Sequence, residues 1–107
     1  MQILEDQSTK AQLSGESLEL AASLLKAVAH PHRLSILQML DQHERLSVNE
    51  ICENLEIEQS LTSHHLANMK LKGILGAKRE GQKIYYHLKL KNLHHILSCM
   101  EGCIHHQ

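Results

Sequence analysis

Ser47-Val48-Asn49-Glu50-Ile51-Cys52 and, after a short acidic connection, Ser60-Leu61-Thr62-Ser63-His64-His65-Leu66-Ala67-Asn68-Met69 form the stretch that decides how this chain folds. Ser47 and Glu50 have the S-x-x-E spacing of a capping box, in which each side chain satisfies a backbone amide at a helix start. Val48, Ile51, Cys52 and Leu55 supply the apolar set of that short helix. Glu56-Ile57-Glu58-Gln59 forms the connection, and Ser60 to Lys72 reads as a second helix. Ser60 is expected to cap it, and Gly73 suits the left-handed position past its end. The pair predicts a helix-turn-helix.

Upstream, Leu18, Ala21, Ala22, Leu25, Val28 and Ala29 recur at three- and four-residue intervals from Ser17, which predicts a helix with one apolar stripe. His30-Pro31 ends it, and Pro31 suits the first position of a new helix with Leu34, Ile36, Leu37 and Leu40 inward. Asp41-Gln42-His43-Glu44 is the exit. Residues 1–16 are polar and read as a flexible lead-in to a single domain over residues 17–107. Downstream, Ile74 to Arg79 and Lys83 to Leu88 carry β-type residues around Glu80-Gly81-Gln82, a hairpin. Lys91 to Ile104 returns to helical spacing with Leu93, Ile96, Leu97 and Met100. The expected fold is mainly α with a β-hairpin: four helices, two strands and a fifth helix.

A chain of 107 residues has room for one domain, and 42% hydrophobic with 21% charged residues is an ordinary globular balance. Trp and Phe are absent and the two Tyr are adjacent, which disfavours a platform that stacks single-stranded bases on aromatic rings. The formal charge of -1 hides a strong polarity. Residues 1–59 hold four basic and ten acidic side chains, a local charge of -6. Residues 60–91 hold Lys70, Lys72, Lys78, Arg79, Lys83, Lys89 and Lys91 against Glu80 alone, a local charge of +6. Basic residues on a helix and an adjoining hairpin make a footprint for a phosphate backbone. In a helix-turn-helix the second helix enters the major groove, and a basic hairpin beside it can follow a phosphate ridge. On a helical wheel Thr62, Leu66 and Met69 share one side, leaving Ser60, Ser63, His64 and Ala67 opposite, while His65 borders the inward stripe and is expected to be partly buried.

Leu25-Lys26-Ala27-Val28-Ala29-His30-Pro31-His32-Arg33-Leu34-Ser35-Ile36-Leu37, Leu46 to Ile51, Ser60 to Leu66 and the pattern Arg79-Glu80-Gly81-Gln82-Lys83-Ile84-Tyr85-Tyr86 together resemble the ArsR/SmtB family of bacterial winged-helix repressors. The resemblance covers roughly residues 20 to 100. It implies a winged helix-turn-helix homodimer joined through its first and last helices, binding palindromic double-stranded operator DNA and leaving it when an inducer binds. By position it assigns Ser60, Thr62, Ser63 and His64 to the DNA-facing start of the recognition helix, and Arg79, Gln82 and Lys83 to the wing. Arg33 matches a recurrent family arginine, with a structural or phosphate role. Leu71 departs from the family, which more often has a polar residue there.

The family's sensing patterns are not met. Ser47 and Asn49 stand where a C-x-C pair precedes the third helix, Lys89 and Lys91 stand where an Asp and a His begin the last one, and Gln38 replaces a sensing cysteine of the persulfide-responsive branch. The chain instead offers His95, Cys99 and Cys103 at four-residue steps, with His106 near the same face. Imidazole and thiolate suit zinc-like transition metals. The same thiols could serve redox or persulfide chemistry, or Cys103 could pack as a small hydrophobe. Cys52 reads as core. An odd set of three cysteines makes no disulfide framework and fits a reducing compartment. With neither a basic amino terminus nor a long apolar run, a cytoplasmic protein is expected rather than a secreted or membrane one. No phosphate-binding glycine loop or nucleophile motif occurs, so an enzyme is not expected. A small metal-buffering or thiol-transfer protein is the competing reading; it leaves the +6 segment, capping box and wing unexplained.

Overall fold

The computed structural model describes residues 14–90 and 93–105. Most of the lead-in, together with Lys91 and His106, lies outside the described residues. Helix α1 spans Gly15–Val28, α2 Pro31–Gln42, α3 Val48–Leu55, α4 Gln59–Leu71 and α5 Leu93–His105. The strands are β1 (Leu46–Ser47), β2 (Leu75–Glu80) and β3 (Lys83–Leu88). They form one antiparallel sheet in the order β1-β3-β2, with Leu46 opposite Tyr86 and Ala77 opposite Tyr86 on the other side. The expected hairpin is therefore present, and β1 is a third strand that sequence pattern did not announce. Two residues are too short to show period-two alternation, and β1 exists only because β3 pairs with it.

Local signals set the helix ends. α1 starts two residues before the expected Ser17, because the Ser14 hydroxyl accepts from the Ser17 N–H at 3.2 Å and caps it. Pro31 occupies the first turn of α2, and the His30 ring caps it by accepting from the His32 N–H. The capping box of α3 is complete: Ser47 N–H donates to Glu50 Oε1 at 2.8 Å and Glu50 N–H to Ser47 Oγ at 3.2 Å. The expectation that Ser60 caps α4 is corrected. Glu58 holds that position without a side-chain cap bond, and Ser60 Oγ, two residues further in, donates to Glu58 Oε1 at 2.7 Å. At the other end Gly73, at φ +80°, lets its own N–H reach Lys70 O and the Ile74 N–H reach Met69 O, both 3.0 Å, closing α4 with a Schellman motif. Gly81 at φ +66° opens the two-residue turn between β2 and β3.

Ile36, Leu37 and Leu40 of α2, Ile51 of α3, Leu66 and Met69 of α4, and Ile74, Leu75 and Tyr86 of the sheet region form the core. This packing fixes α4 against α3 and presents its opposite face outward. The apolar stripe of α1 behaves differently from a core stripe: Ala27 is buried, yet Leu18 is 56% and Leu25 67% exposed. On α5, Leu93 is buried while Ile96, Met100 and Ile104 are exposed. Both terminal helices thus hold apolar side chains in solvent in the single chain. Among the described residues no helix is long and apolar enough to cross a membrane.

Candidate nucleic-acid interface

The outward face of α4 begins with Gln59, Ser60, Ser63, His64 and Ala67, all exposed. Thr62 is placed elsewhere. It is fully buried, and its hydroxyl donates to the Glu58 carbonyl at 3.0 Å, so it shapes the first turn of the helix from within instead of facing a ligand. Leu66 and Met69 lie on the same buried side, as the helical wheel required. The outward groups are short or polar, so their helix can approach base edges without obstruction.

A cleft of about 270 Å³ joins this face to the hairpin. Ser47 and Asn49 from the start of α3, Gln59 and Ser63 from α4, and Gln82 and Lys83 from the β2–β3 turn line it. The cleft unites two sets that sequence reading had assigned separately and adds Asn49 and Gln59. In sequence Gln59 reads as connection; with the helix beginning one residue earlier, it moves into the first turn. Arg79, Gln82 and Lys83 are all exposed, with Arg79 Nε donating to the Gly81 carbonyl at 3.3 Å across the turn.

Glu80, the single acid of the basic segment, is paired with Arg45 from the α2–β1 connection. That guanidinium also lies 4.1 Å from the centre of the Tyr85 ring. The Arg45 hydrogen bond holds the Glu80 carboxyl below its ordinary range, and the same bond pushes Arg45 further up. A cation from the acidic half thus answers the one wing carboxylate, which leaves the positive balance of Lys78, Arg79 and Lys83 uncancelled by it.

Arg33 has a structural role. Its Nη1 donates to Ala27 O at 2.9 Å and to Asn68 Oδ1 at 2.8 Å, and its Nε donates to His65 Nδ1 at 2.8 Å. One guanidinium therefore fastens the end of α1 and the start of α2 to the middle of α4. His65, expected partly buried, is only 4% exposed. Burial, reinforced by the Arg33 cation and by His30, His32 and His64, pushes its pKa down and keeps the ring a neutral acceptor.

Residues 30–75 match the sequence profile described as "Bacterial regulatory protein, arsR family". Over 92 residues, 86% of this chain and 92% of the relative, the chain is 38% identical to the HTH-type transcriptional regulator YgaV of Escherichia coli K12. The chain belongs to the ArsR family. It is also 39% identical to the transcriptional repressor PagR of Bacillus anthracis, over 78% of this chain and 84% of that protein. The solved structure of HlyU from Vibrio cholerae superposes with a TM-score of 0.74 at 32% identity, covering 84% of this chain and 97% of that one. The fold is accordingly the winged helix of ArsR-family regulators, with α3 and α4 as the helix-turn-helix and β2–β3 as the wing, and the chain is a DNA-binding transcriptional regulator.

In this ArsR-family chain His95, Cys99 and Cys103 are all exposed along α5. At a rise of about 1.5 Å per residue, His95 and Cys103 stand about 12 Å apart along the axis, too far to bind one ion together from a single helix. Neighbouring pairs remain on one face. The buried-hydrophobe reading of Cys103 does not describe the single chain, where its neighbours Met100 and Ile104 are exposed as well. Cys52 is half-buried on α3. The three-residue cluster whose ring nitrogens do approach one another among the described residues is His30, His32 and His65, a set the sequence pattern did not single out.

Proposed function

We propose that this regulator is a homodimeric repressor that reads a palindromic operator through the start of α4 and clamps the flanking backbone with its wing. Ser60, Ser63 and His64 contact base edges and phosphates in the major groove; Arg79, Gln82 and Lys83 lie along the phosphate ridge. The carrying observation is the cleft in which Gln59 and Ser63 of the recognition helix meet Gln82 and Lys83 of the wing. Thr62 supports this surface from beneath. A second copy covers the exposed apolar faces of α1 and α5, which accounts for Leu25 and Ile104 lying in solvent in one chain. The dimer acts in the cytoplasm, where free thiols persist. Release from DNA follows when a metal ion or a thiol-reactive species engages His95, Cys99 and Cys103, with the partner helix completing what one helix cannot span.

The Ser63→Ala, His64→Ala double variant is expected to lose operator affinity while remaining dimeric; unchanged binding in a titration removes both residues from the interface. Cys99→Ser with Cys103→Ser tests the release step. If polysulfide still frees this variant from operator DNA as it frees the parent, the α5 cysteines are not the thiol switch.

A further inference from the structure

Three imidazoles that DNA contact leaves unused meet behind the recognition helix. His30 caps α2, His32 sits in its first turn and His65 comes from α4. One ring nitrogen from each lies within 4.8 Å of the other two. The ring centres are 4.7 Å apart for His30 and His65, 5.1 Å for His30 and His32, and 5.8 Å for His32 and His65. Within this trio His32 Nδ1 and His65 Nε2 are buried with no hydrogen-bond partner among the described residues. Buried polar atoms are nearly always satisfied, so two orphans within one cluster of three rings point to a group that belongs there.

We propose that His30, His32 and His65 form a binding site for a divalent transition metal of the zinc type, and that filling it unfastens Arg33 from the recognition helix. Neutral imidazole is a preferred ligand for such metals, and three protein ligands with a water in the fourth position is a common open arrangement. Tetrahedral bonds of about 2.0–2.1 Å bring ligand nitrogens to about 3.3 Å from one another, so the rings must close by up to about 1.5 Å. His65 is fixed in the core, while His30 is exposed and His32 half-buried, so those two rings do the closing.

The coupling follows from which nitrogen carries the ring proton. His65 Nδ1 accepts from Arg33 Nε, which puts the proton of the neutral ring on Nε2. Coordination through Nε2 needs the lone pair there, so that proton leaves and one from solvent takes Nδ1, with no net change in protons bound. An N–H at Nδ1 cannot accept, and Arg33 loses its bond to α4. His30 Nδ1 likewise accepts from the His32 N–H at 3.1 Å, and a metal turning that ring breaks the α2 cap. The metal-free site is thus the fastened one, with α1, α2 and α4 held together through Arg33, and the metal-bound site is the loosened one. Release of Arg33 also moves a cation away from the incoming dication.

The effect on DNA rests on the regulator reading above; the site itself does not. Cobalt(II), titrated into the full chain carrying Cys52→Ser, Cys99→Ser and Cys103→Ser, separates imidazole from thiolate ligation. The expected result is saturable uptake of one ion per chain, d–d absorption without a sulfur charge-transfer band, displacement by zinc(II), and, in the diamagnetic zinc(II) form, a shift of the Arg33 Nε–H resonance relative to the metal-free chain. His32→Ala, with circular dichroism to check that its helix content matches the parent's, is expected to weaken uptake at least about tenfold, and His65→Gln to do the same. No saturable uptake by the cysteine-free chain, or uptake unchanged in both histidine variants, overturns the site. Uptake with an unmoved Arg33 resonance overturns the coupling. In the same samples zinc(II) is expected to weaken duplex binding; a chain that binds metal as described but never binds duplex DNA counts against the regulator reading alone.

Discussion

Glu56 is the one non-glycine residue with left-handed backbone among the described residues, at φ 55° and ψ 40°, and it closes α3 by giving its N–H to Cys52 O at 2.8 Å. A side chain in that region costs about 1–2 kcal/mol, against which glycine gives back part through its freer unfolded state. Glu56→Gly is therefore expected to raise stability, by up to about 1 kcal/mol, read as a higher urea midpoint at unchanged slope. Lower stability would show that the Glu56 side chain holds the turn. Arg33 makes the opposite case at the same scale. Its bonds run to Ala27, His65 and Asn68, so Arg33→Met leaves a buried carbonyl and a buried ring unsatisfied. A loss of about 2 kcal/mol or more is expected, with Arg33→Lys rescuing little because the three donors of an ammonium radiate from one nitrogen, whereas these partners are met from Nε and Nη1 of a planar fork. Sequence reading offered Arg33 a structural or phosphate role and could not choose, since His65 stands 32 residues away and nothing local signals the contact. Thr62 shows the complementary difficulty: its position on the wheel marked it inward while family resemblance marked it DNA-facing, and its burial decides for the wheel.

Where an element's signal is local, as in α3, reading it from sequence succeeds. Ser47 and Glu50 satisfy each other across three residues, and the box forms as expected. The Ser47 backbone N–H, and then its hydroxyl, hold the Glu50 carboxyl below its usual value. A folded pKa below the unfolded one means that the contribution is present above the ordinary glutamate value of about 4.3 and fades as pH falls through the lowered one. Thermal unfolding is thus expected to show a steeper acid loss in the parent than in Glu50→Gln, and equal acid limbs would mean that the box contributes nothing. Ser47→Ala is expected to cost about 1 kcal/mol at neutral pH. β1 was not legible for the converse reason, since its two residues are held by Tyr85 and Tyr86 far along the chain. The start of α4 moved by one residue because Glu58, which lacks a side-chain cap bond, gives no capping signature to read.

At the scale of the whole molecule, periodicity identified apolar stripes on α1 and α5 but could not say what faces them. Leu18, Leu25, Ile96 and Ile104 are exposed in one chain, so the pattern that looks like core in sequence is, in the proposed dimer, the material of an interface between chains. Leu25→Glu with Ile104→Glu is expected to yield a folded monomer by light scattering, with much weaker operator binding because two half-sites are no longer linked; a dimer that persists would move the interface elsewhere. The near-zero net charge was equally uninformative until divided along the chain; the described basic residues then fall at the end of α4, where Lys72 Nζ donates to Ser23 Oγ, and along the hairpin and the segment after it. Arg45 sharpens this, because it takes up Glu80 and leaves the wing cations without that internal partner.

The most direct test is a duplex titration across salt concentrations, using the DNA upstream of the chain's own gene and comparing the parent with Lys83→Ala. A straight line of log affinity against log salt is expected for the parent, and a slope shallower by about 0.9 for each phosphate contact that the variant loses. A chain that fails to bind duplex at low salt, or a Lys83→Ala line that coincides with the parent's in slope and height, contradicts it.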